Sequence, residues 1–472
     1  MNSEQRKQLQ AVGKQAFVRQ EMIRLGFWPP SPEVAAQAEG AEQDLRIIYD
    51  EMIALRTEMA DVEAKIAESE NIPALLAEIR HKRIERVRAE RIVRRERRAK
   101  EQIEKHAKDT EWRKRTIPYL GHGVSDGLVY EGGDPAKTAT LNLPALATAS
   151  EVAAAIGIPE SDLAWLTYHR GAATIDHYSR FTIPKKRGGV RVISSPKRRL
   201  RTAQAWVLES VLSPVPVHEA AMAFRPGLSV ADNARRHQAQ AVVVRIDLKD
   251  FFPSITLPRV RKLFRSFGYN GGVATLLALL CTEAPRVAAT LDGARRFVAV
   301  GGRSLPQGAC TSPAVTNLLC RKLDARLTGA AEAMGFIYTR YADDLVFSHA
   351  KPEAPVGMLL DLVRRIIADE GLIVNEEKTS VQRVQHRQTV TGLVVNGGAP
   401  RVSRENLRKF RAMLHQCERD GVPAVSERLG QNAQAYAAGY VAFIHMVDPE
   451  RARRITAAHP WIARWKQDGD GA

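Results

Sequence analysis

Apolar and polar positions change rhythm along the chain. Over residues 43–112 apolar side chains recur at helical spacing, as in Ile47, Ile48, Met52, Ile53 and Leu55, with no Gly and a single proline, Pro73. That pattern predicts a long helix or a helical hairpin. Just ahead of it, Met22-Ile23-Arg24-Leu25-Gly26-Phe27-Trp28-Pro29-Pro30 ends a short helix in a Gly and Pro stop signal. Phe27 and Trp28 there read as a small-domain core or a docking anchor. Residues 121–150 begin Gly-rich and carry no period, which predicts a linker. Further on, the run from Ala241 to Ile246 is apolar and β-branched and reads as a buried strand ending at or near Asp247. Gly335-Phe336-Ile337-Tyr338 and Leu345-Val346-Phe347 read as two short strands joined by a tight turn, Tyr341-Ala342-Asp343-Asp344. Lys185-Lys186-Arg187-Gly188-Gly189-Val190-Arg191 reads as a hairpin whose Gly pair makes the turn and whose cations project. Helical patterns return over 403–419 and 425–447. No internal repeat is found.

Composition narrows this picture. The 472 residues suffice for two or three domains, and a net charge of +17 points to a polyanionic partner. Part of that surplus lies between Arg80 and Arg115, densest at Arg94-Arg95-Glu96-Arg97-Arg98. With acidic residues interleaved, the segment reads as a solvated helix laced with salt bridges or as an RNA-backbone contact. Cys281, Cys310, Cys320 and Cys417 have no Cys-x-x-Cys spacing, so neither a zinc site nor a disulfide framework is indicated and a reducing compartment is expected. No apolar run approaches bilayer length and the N-terminus has no signal-peptide core, so no membrane association and a cytoplasmic location are expected.

The candidate chemistry sits in the Asp-Asp turn. Two adjacent carboxylates at a hairpin tip repel each other and resist desolvation, so solvent or a cation must neutralise them. With Asp247 at a strand end, three acids from distant sequence can converge on two metals, which clamp the attacking and leaving oxygens of an in-line displacement at a phosphate.

These residues resemble the reverse transcriptases. The match runs in order through Ile183–Ile193, the Asp247 strand, Leu305-Pro306-Gln307-Gly308-Ala309-Cys310-Thr311-Ser312-Pro313, the Asp343-Asp344 hairpin and Gly371–Thr379. The resemblance implies an α+β, right-hand polymerase fold of fingers, palm and thumb after a helical N-terminal extension. Expected boundaries are 1–120 for the extension, 121–150 for the linker, 151–245 for the fingers and start of the palm, 246–385 for the palm and 386–472 for the thumb. It also implies two magnesium ions held by Asp247, Asp343 and Asp344. Deoxynucleoside triphosphate contacts are implied at Lys186, Arg191, Asp250, Phe251, Phe252, Gln307 and Lys378. Phe252 stands where the family carries an aromatic that crowds the sugar 2′ position, and Lys378 resembles its lysine for the leaving pyrophosphate.

Two further patterns, Asn233-Ala234-Arg235-Arg236-His237 and Val390-Thr391-Gly392, are similar to signatures of retron reverse transcriptases, over roughly residues 150–450. Those enzymes copy part of a companion structured RNA into RNA-linked DNA. The resemblance implies RNA contacts at Asn233, His237, Val390, Thr391 and Gly392, with Arg404 and Arg408 in a thumb that grips template and primer. It also implies priming from a ribose 2′-hydroxyl and a role in phage defence with an effector protein. The extension resembles those of some myxobacterial retron enzymes. Alternatives are another bacterial reverse transcriptase without a retron RNA, or a non-catalytic RNA-binding scaffold; a scaffold has no need to keep three repelling acids together.

Overall fold

A computed structural model describes residues 3–27, 32–66, 72–184, 188–291 and 293–466. The chain divides into two compact units, Met1–Ala107 and Lys108–Ala472. In the first, helices span Ser3–Val12, Lys14–Arg24 and Pro32–Ile66, and a fourth, Ile72–Arg115, begins there. The two long helices match the helical period of 43–112. Trp28 lies outside the described residues.

The second unit is built on a four-stranded antiparallel sheet in the order Ile337–Tyr341, Asp344–His349, Val242–Leu248, Val374–Arg383. Period two decides what each face does. Val242, Val244, Ile246, Leu248, Leu345 and Phe347 pack on the helices Arg321–Ala333 and Val356–Asp369 through Leu323, Leu327, Leu359, Val363 and Ile367. On the opposite face Val243 and Val346 pack with Ala231, Ala234, Val390, Leu393 and residues of the C-terminal helices such as Leu407, Phe410 and Leu414. Burying each of the Val, Leu, Ile and Phe side chains contributes about 1.5–3 kcal/mol. A one-residue slip would turn every strand inside out, so burial on both faces fixes the register. The same alternation puts Asp247 and Asp344 on the Val243 and Val346 face.

A helical layer forms a second core through Leu163, Leu200, Val211, Phe264 and Leu277. Here the expected linker is corrected. Leu120, Val124 and Leu143 are buried in this core, and Pro135–Thr140 is helical. The glycines of the stretch allow close approach rather than slack. A Cβ on Gly127 would stand 2.4 Å from Thr275 Oγ1, and one on Gly272 2.5 Å from the Tyr130 ring. Thr275 Oγ1 donates to Gly127 O (3.0 Å) and Gly272 N to Val129 O (2.7 Å). Tyr178–Pro184 and Val190–Pro196 form the expected projecting hairpin, paired from Tyr178↔Pro196 to Pro184↔Val190. Its cations Lys185, Lys186 and Arg187 lie outside the described residues.

Candidate active site

The strands bring the three acids together. Asp247 and Asp344 are direct cross-strand partners, and Tyr341 pairs with Asp344, leaving Ala342 and Asp343 as a two-residue turn. Ala342 has φ 59° and Asp343 does not share the positive sign, as in a II′ turn. An alanine held there costs about 1–3 kcal/mol. Two contacts hold the strained tip: Leu248 N donates to Asp343 O (3.0 Å), and Arg340 Nη1 donates to Ala342 O (3.3 Å).

Arg340 is the largest fully buried side chain among the described residues. Its Nε and Nη2 donate to the two oxygens of Asp324 at 2.8 and 2.7 Å, and Nη1 donates to Asn317 Oδ1 at 3.0 Å. Tyr338 OH donates to the same Asp324 (2.9 Å). This bidentate pair anchors the hairpin to the helix beneath it, and removing one member would strand a buried charge at a cost of about 3–5 kcal/mol. Neither Arg340 nor Asp324 was expected from sequence. The one signal was a charge at a position that alternation turns toward the helices.

Two cations reach the acids. Lys378 Nζ and Asn375 Nδ2 both donate to Asp247 Oδ2, at 2.9 and 3.0 Å. Arg245 Nη2 donates to Asp344 Oδ2 at 2.6 Å. Arg245 and Asn375 are additions to the expected set; Arg245 was visible only as the one charge in the apolar run before Asp247. Burial, and next the charge of Asp247, push the Asp343 carboxyl above its ordinary range. Burial also raises Asp344, against the lowering pull of Arg245.

Crowded carboxylates of this kind are the all-oxygen donor set that a hard divalent cation relieves. Among the described residues no three His, Cys, Asp or Glu side chains form a ready cage. Magnesium usually takes one or two carboxylates and fills its shell with waters and substrate phosphates, so the donors present fit it.

The expected nucleotide contacts divide. Asp250 is exposed on the turn after the Asp247 strand, with φ 45°. Phe252 is partly exposed, its ring 5.8 Å from that of Phe251. Phe251, at 2% exposure, has its side chain in the core beneath the sheet, so any contact it makes with a nucleotide would come from its backbone. Arg191 is exposed on the hairpin opposite Ile183. Gln307 is partly exposed and its carbonyl accepts from Ser194 N (2.7 Å). The close approach that Gly308 permits is to protein: a Cβ there would meet Ser194 O at 2.8 Å.

The RNA contacts expected from the two signatures are also corrected in part. Asn233, His237 and Val390 are fully buried. His237 bridges Ser348 Oγ (2.7 Å) and Thr339 Oγ1 (2.6 Å), and Thr339 Oγ1 donates to Asn233 Oδ1 (2.6 Å). These side chains pin the helix Val230–Arg235 to the carboxylate-bearing face of the sheet. Thr391 and Gly392 have φ 47° and 85°, a I′-type turn between the paired Val390 and Leu393. Thr391 Oγ1 donates to Val230 O (2.9 Å), so the two signatures form one packing unit. Arg404 and Arg408, one helical turn apart, are exposed and line a shallow cavity with His386 and Arg387.

The family model described as reverse transcriptase (RNA-dependent DNA polymerase) matches residues 183–395. The chain is similar to the retron Mx162 reverse transcriptase of Myxococcus xanthus, 44% identical over 73% of this chain and 74% of that one. It is similar to the retron Ec86 reverse transcriptase of Escherichia coli at 32% identity, over 67% of this chain and 89% of that one. Among solved structures, telomerase from Candida albicans in complex with a TWJ fragment of telomeric RNA aligns with a TM-score of 0.36 and 13% identity, covering 60% of this chain and 55% of that one.

Proposed function

This chain belongs to the retron reverse transcriptases, and from that premise we propose that it copies part of a companion structured RNA into single-stranded DNA that remains linked to the RNA. RNA-directed DNA polymerisation is its activity. The observation that carries the site assignment is the cross-strand pairing of Asp247 with Asp344, with Asp343 on the turn beside them. Asp247 and Asp343, supported by Asp344, would hold two magnesium ions, which supply charge neutralisation for the attacking hydroxyl and the leaving pyrophosphate.

The chain's own groups do the rest. Arg245 donates to Asp344 Oδ2, and Asp247 and Asp343 would be the principal ligands. Lys378, which contacts Asp247, would turn its ammonium toward the leaving pyrophosphate and give up a proton from Nζ. Arg191 on the hairpin, together with Lys186, would meet the triphosphate, and Gln307 and Asp250 would border the nucleotide. The Phe252 ring would exclude a ribose 2′-hydroxyl. Priming would start from a 2′-hydroxyl of the folded RNA, gripped on one side by Arg404 and Arg408. We place this activity in the cytoplasm and in phage defence with an effector protein; among the described residues no helix is long and apolar enough to cross a membrane.

Co-expression with the genomic DNA that flanks the coding sequence tests the reading. The expected product is a short DNA that copurifies with the chain and shifts in size on ribonuclease treatment. Primer extension on generic templates with no RNA-linked DNA in cells would instead assign the chain to reverse transcriptases that work without a retron RNA.

A further inference from the structure

Away from the carboxylates, a cavity of about 310 Å³ opens among the helix Glu160–Thr167, the strand Tyr178–Pro184 and the segment 279–286. Four arginines line it, Arg170, Arg180, Arg286 and Arg303, against two carboxylates, Asp176 and Glu283. Both carboxylates pair with one guanidinium, that of Arg180. Among the described residues Arg286 and Arg303 make no ion pair and use neutral acceptors. Arg286 donates to Phe297 O (2.7 Å) and Arg170 O (2.6 Å), and Arg303 to Leu279 O (2.7 Å). Carbonyl dipoles disperse this charge without cancelling it. His169 registers the surplus: burial first, then Arg303 and Arg286, lower its pKa to about 4, and its Nδ1 is buried without a partner among the described residues.

A recessed guanidinium with no counter-anion is unfavourable, and an anion entering the cavity would offset that penalty. The rim supplies a second kind of surface. Trp165 is 38% exposed, stands near-perpendicular to His177 with ring centroids 4.4 Å apart, and carries the Arg199 guanidinium over its ring at 5.6 Å, which adds a further cation beside any base stacked there.

We propose that this cavity binds one nucleotide unit, its phosphate against Arg286 and Arg303 and its base against Trp165. Guanidinium groups recognise phosphate oxygens through paired hydrogen bonds, and an aromatic face stacks any base without regard to sequence. The volume lies at the small end of ligand pockets, enough for a single nucleotide and too little for a duplex. The occupant is either a free nucleotide or an unpaired nucleotide of an RNA strand. The site sits at the root of the projecting hairpin, because Arg180 lies on the strand paired with the one that carries Arg191. It is independent of the carboxylate assignment.

The test uses the full chain in EDTA, so that cation-dependent binding at the carboxylates does not contribute. Adenosine monophosphate and a short fluorescent single-stranded RNA are titrated separately against wild type, Trp165→Ala and Arg286→Gln. Trp165→Ala is expected to weaken binding roughly fivefold or more, since a base loses its stacking partner. Arg286→Gln should flatten the salt dependence of RNA binding by about 0.7 for the lost phosphate contact. Loss of monophosphate binding in the same variants identifies a free nucleotide, and an effect on RNA alone identifies a strand. Irradiated 4-thiouridine RNA provides a readout that needs no substitution at the arginines, with a crosslink expected in the peptide containing Trp165. Unchanged affinities for both probes in Trp165→Ala, with crosslinks only elsewhere, would overturn the proposal.

Discussion

His237 is held neutral by burial, the larger effect, and by Arg236, which together lower its pKa to about 3. In the unfolded chain it titrates near the ordinary value of about 6.5. Between these values only the unfolded chain takes up the proton. Stability is therefore complete above about pH 6.5 and falls as the pH drops toward 3. Between roughly pH 7.5 and pH 5.5 the loss is about 1.4 kcal/mol. Urea denaturation of wild type and His237→Gln, whose amide bonds to hydroxyls without titrating, should differ by that amount in their pH dependence. Equal dependence would mean that the folded chain protonates His237. Phe252 makes a separate prediction about substrate choice. Phe252→Val should raise ribonucleotide over deoxynucleotide incorporation by roughly tenfold, the scale on which an apolar contact discriminates. Single-nucleotide extension with each triphosphate measures it, and an unchanged ratio in a folded, active variant would place the sugar gate on another residue.

At the scale of elements, the helix Ile72–Arg115 carries sixteen Lys and Arg against eight Asp and Glu, a surplus of eight in a chain of net +17. Internal pairing uses part of it: Lys82 with Glu78, Arg86 with Glu90, Arg97 with Glu101 and Arg115 with Glu111, all largely solvated. Such exposed pairs contribute little to stability. Arg94, Arg95 and Arg98 are exposed and take no ion pair among the described residues. If they meet RNA phosphates, changing Arg94, Arg95, Arg97 and Arg98 to Gln weakens RNA binding and flattens its salt slope by up to about 0.7–0.9 per lost contact. Gel shifts across a salt series decide this; an unchanged slope with native helicity would leave the helix as a solvated, salt-bridged element. Extension of a short generic primer should be the same in both proteins, since the acids lie outside this helix.

For the whole molecule, what sequence revealed was what is local. The β-branched run before Asp247 and the two runs around Asp343-Asp344 announce strands, and their alternation places both acids on one face. Exposure and partnership across the fold were not legible. Asn233, His237 and Val390 look like available recognition residues until the sheet and the Thr391-Gly392 turn close over them. Gly127 looks like slack until Thr275 is seen 2.4 Å from where its Cβ would stand. Arg340 finds Asp324 only because the fold lays a strand on a helix. The account therefore rests most heavily on the carboxylates at the end of that sheet, and one experiment addresses them directly: DNA synthesis on a primed RNA template by wild type, Asp247→Asn and Asp343→Asn, with RNA binding followed by gel shift in the same preparations. Loss of a metal ligand removes several kcal/mol of transition-state stabilisation, so synthesis should fall by about a thousandfold or more while RNA affinity stays near wild type. Sustained synthesis by either folded variant would contradict the assignment of this site.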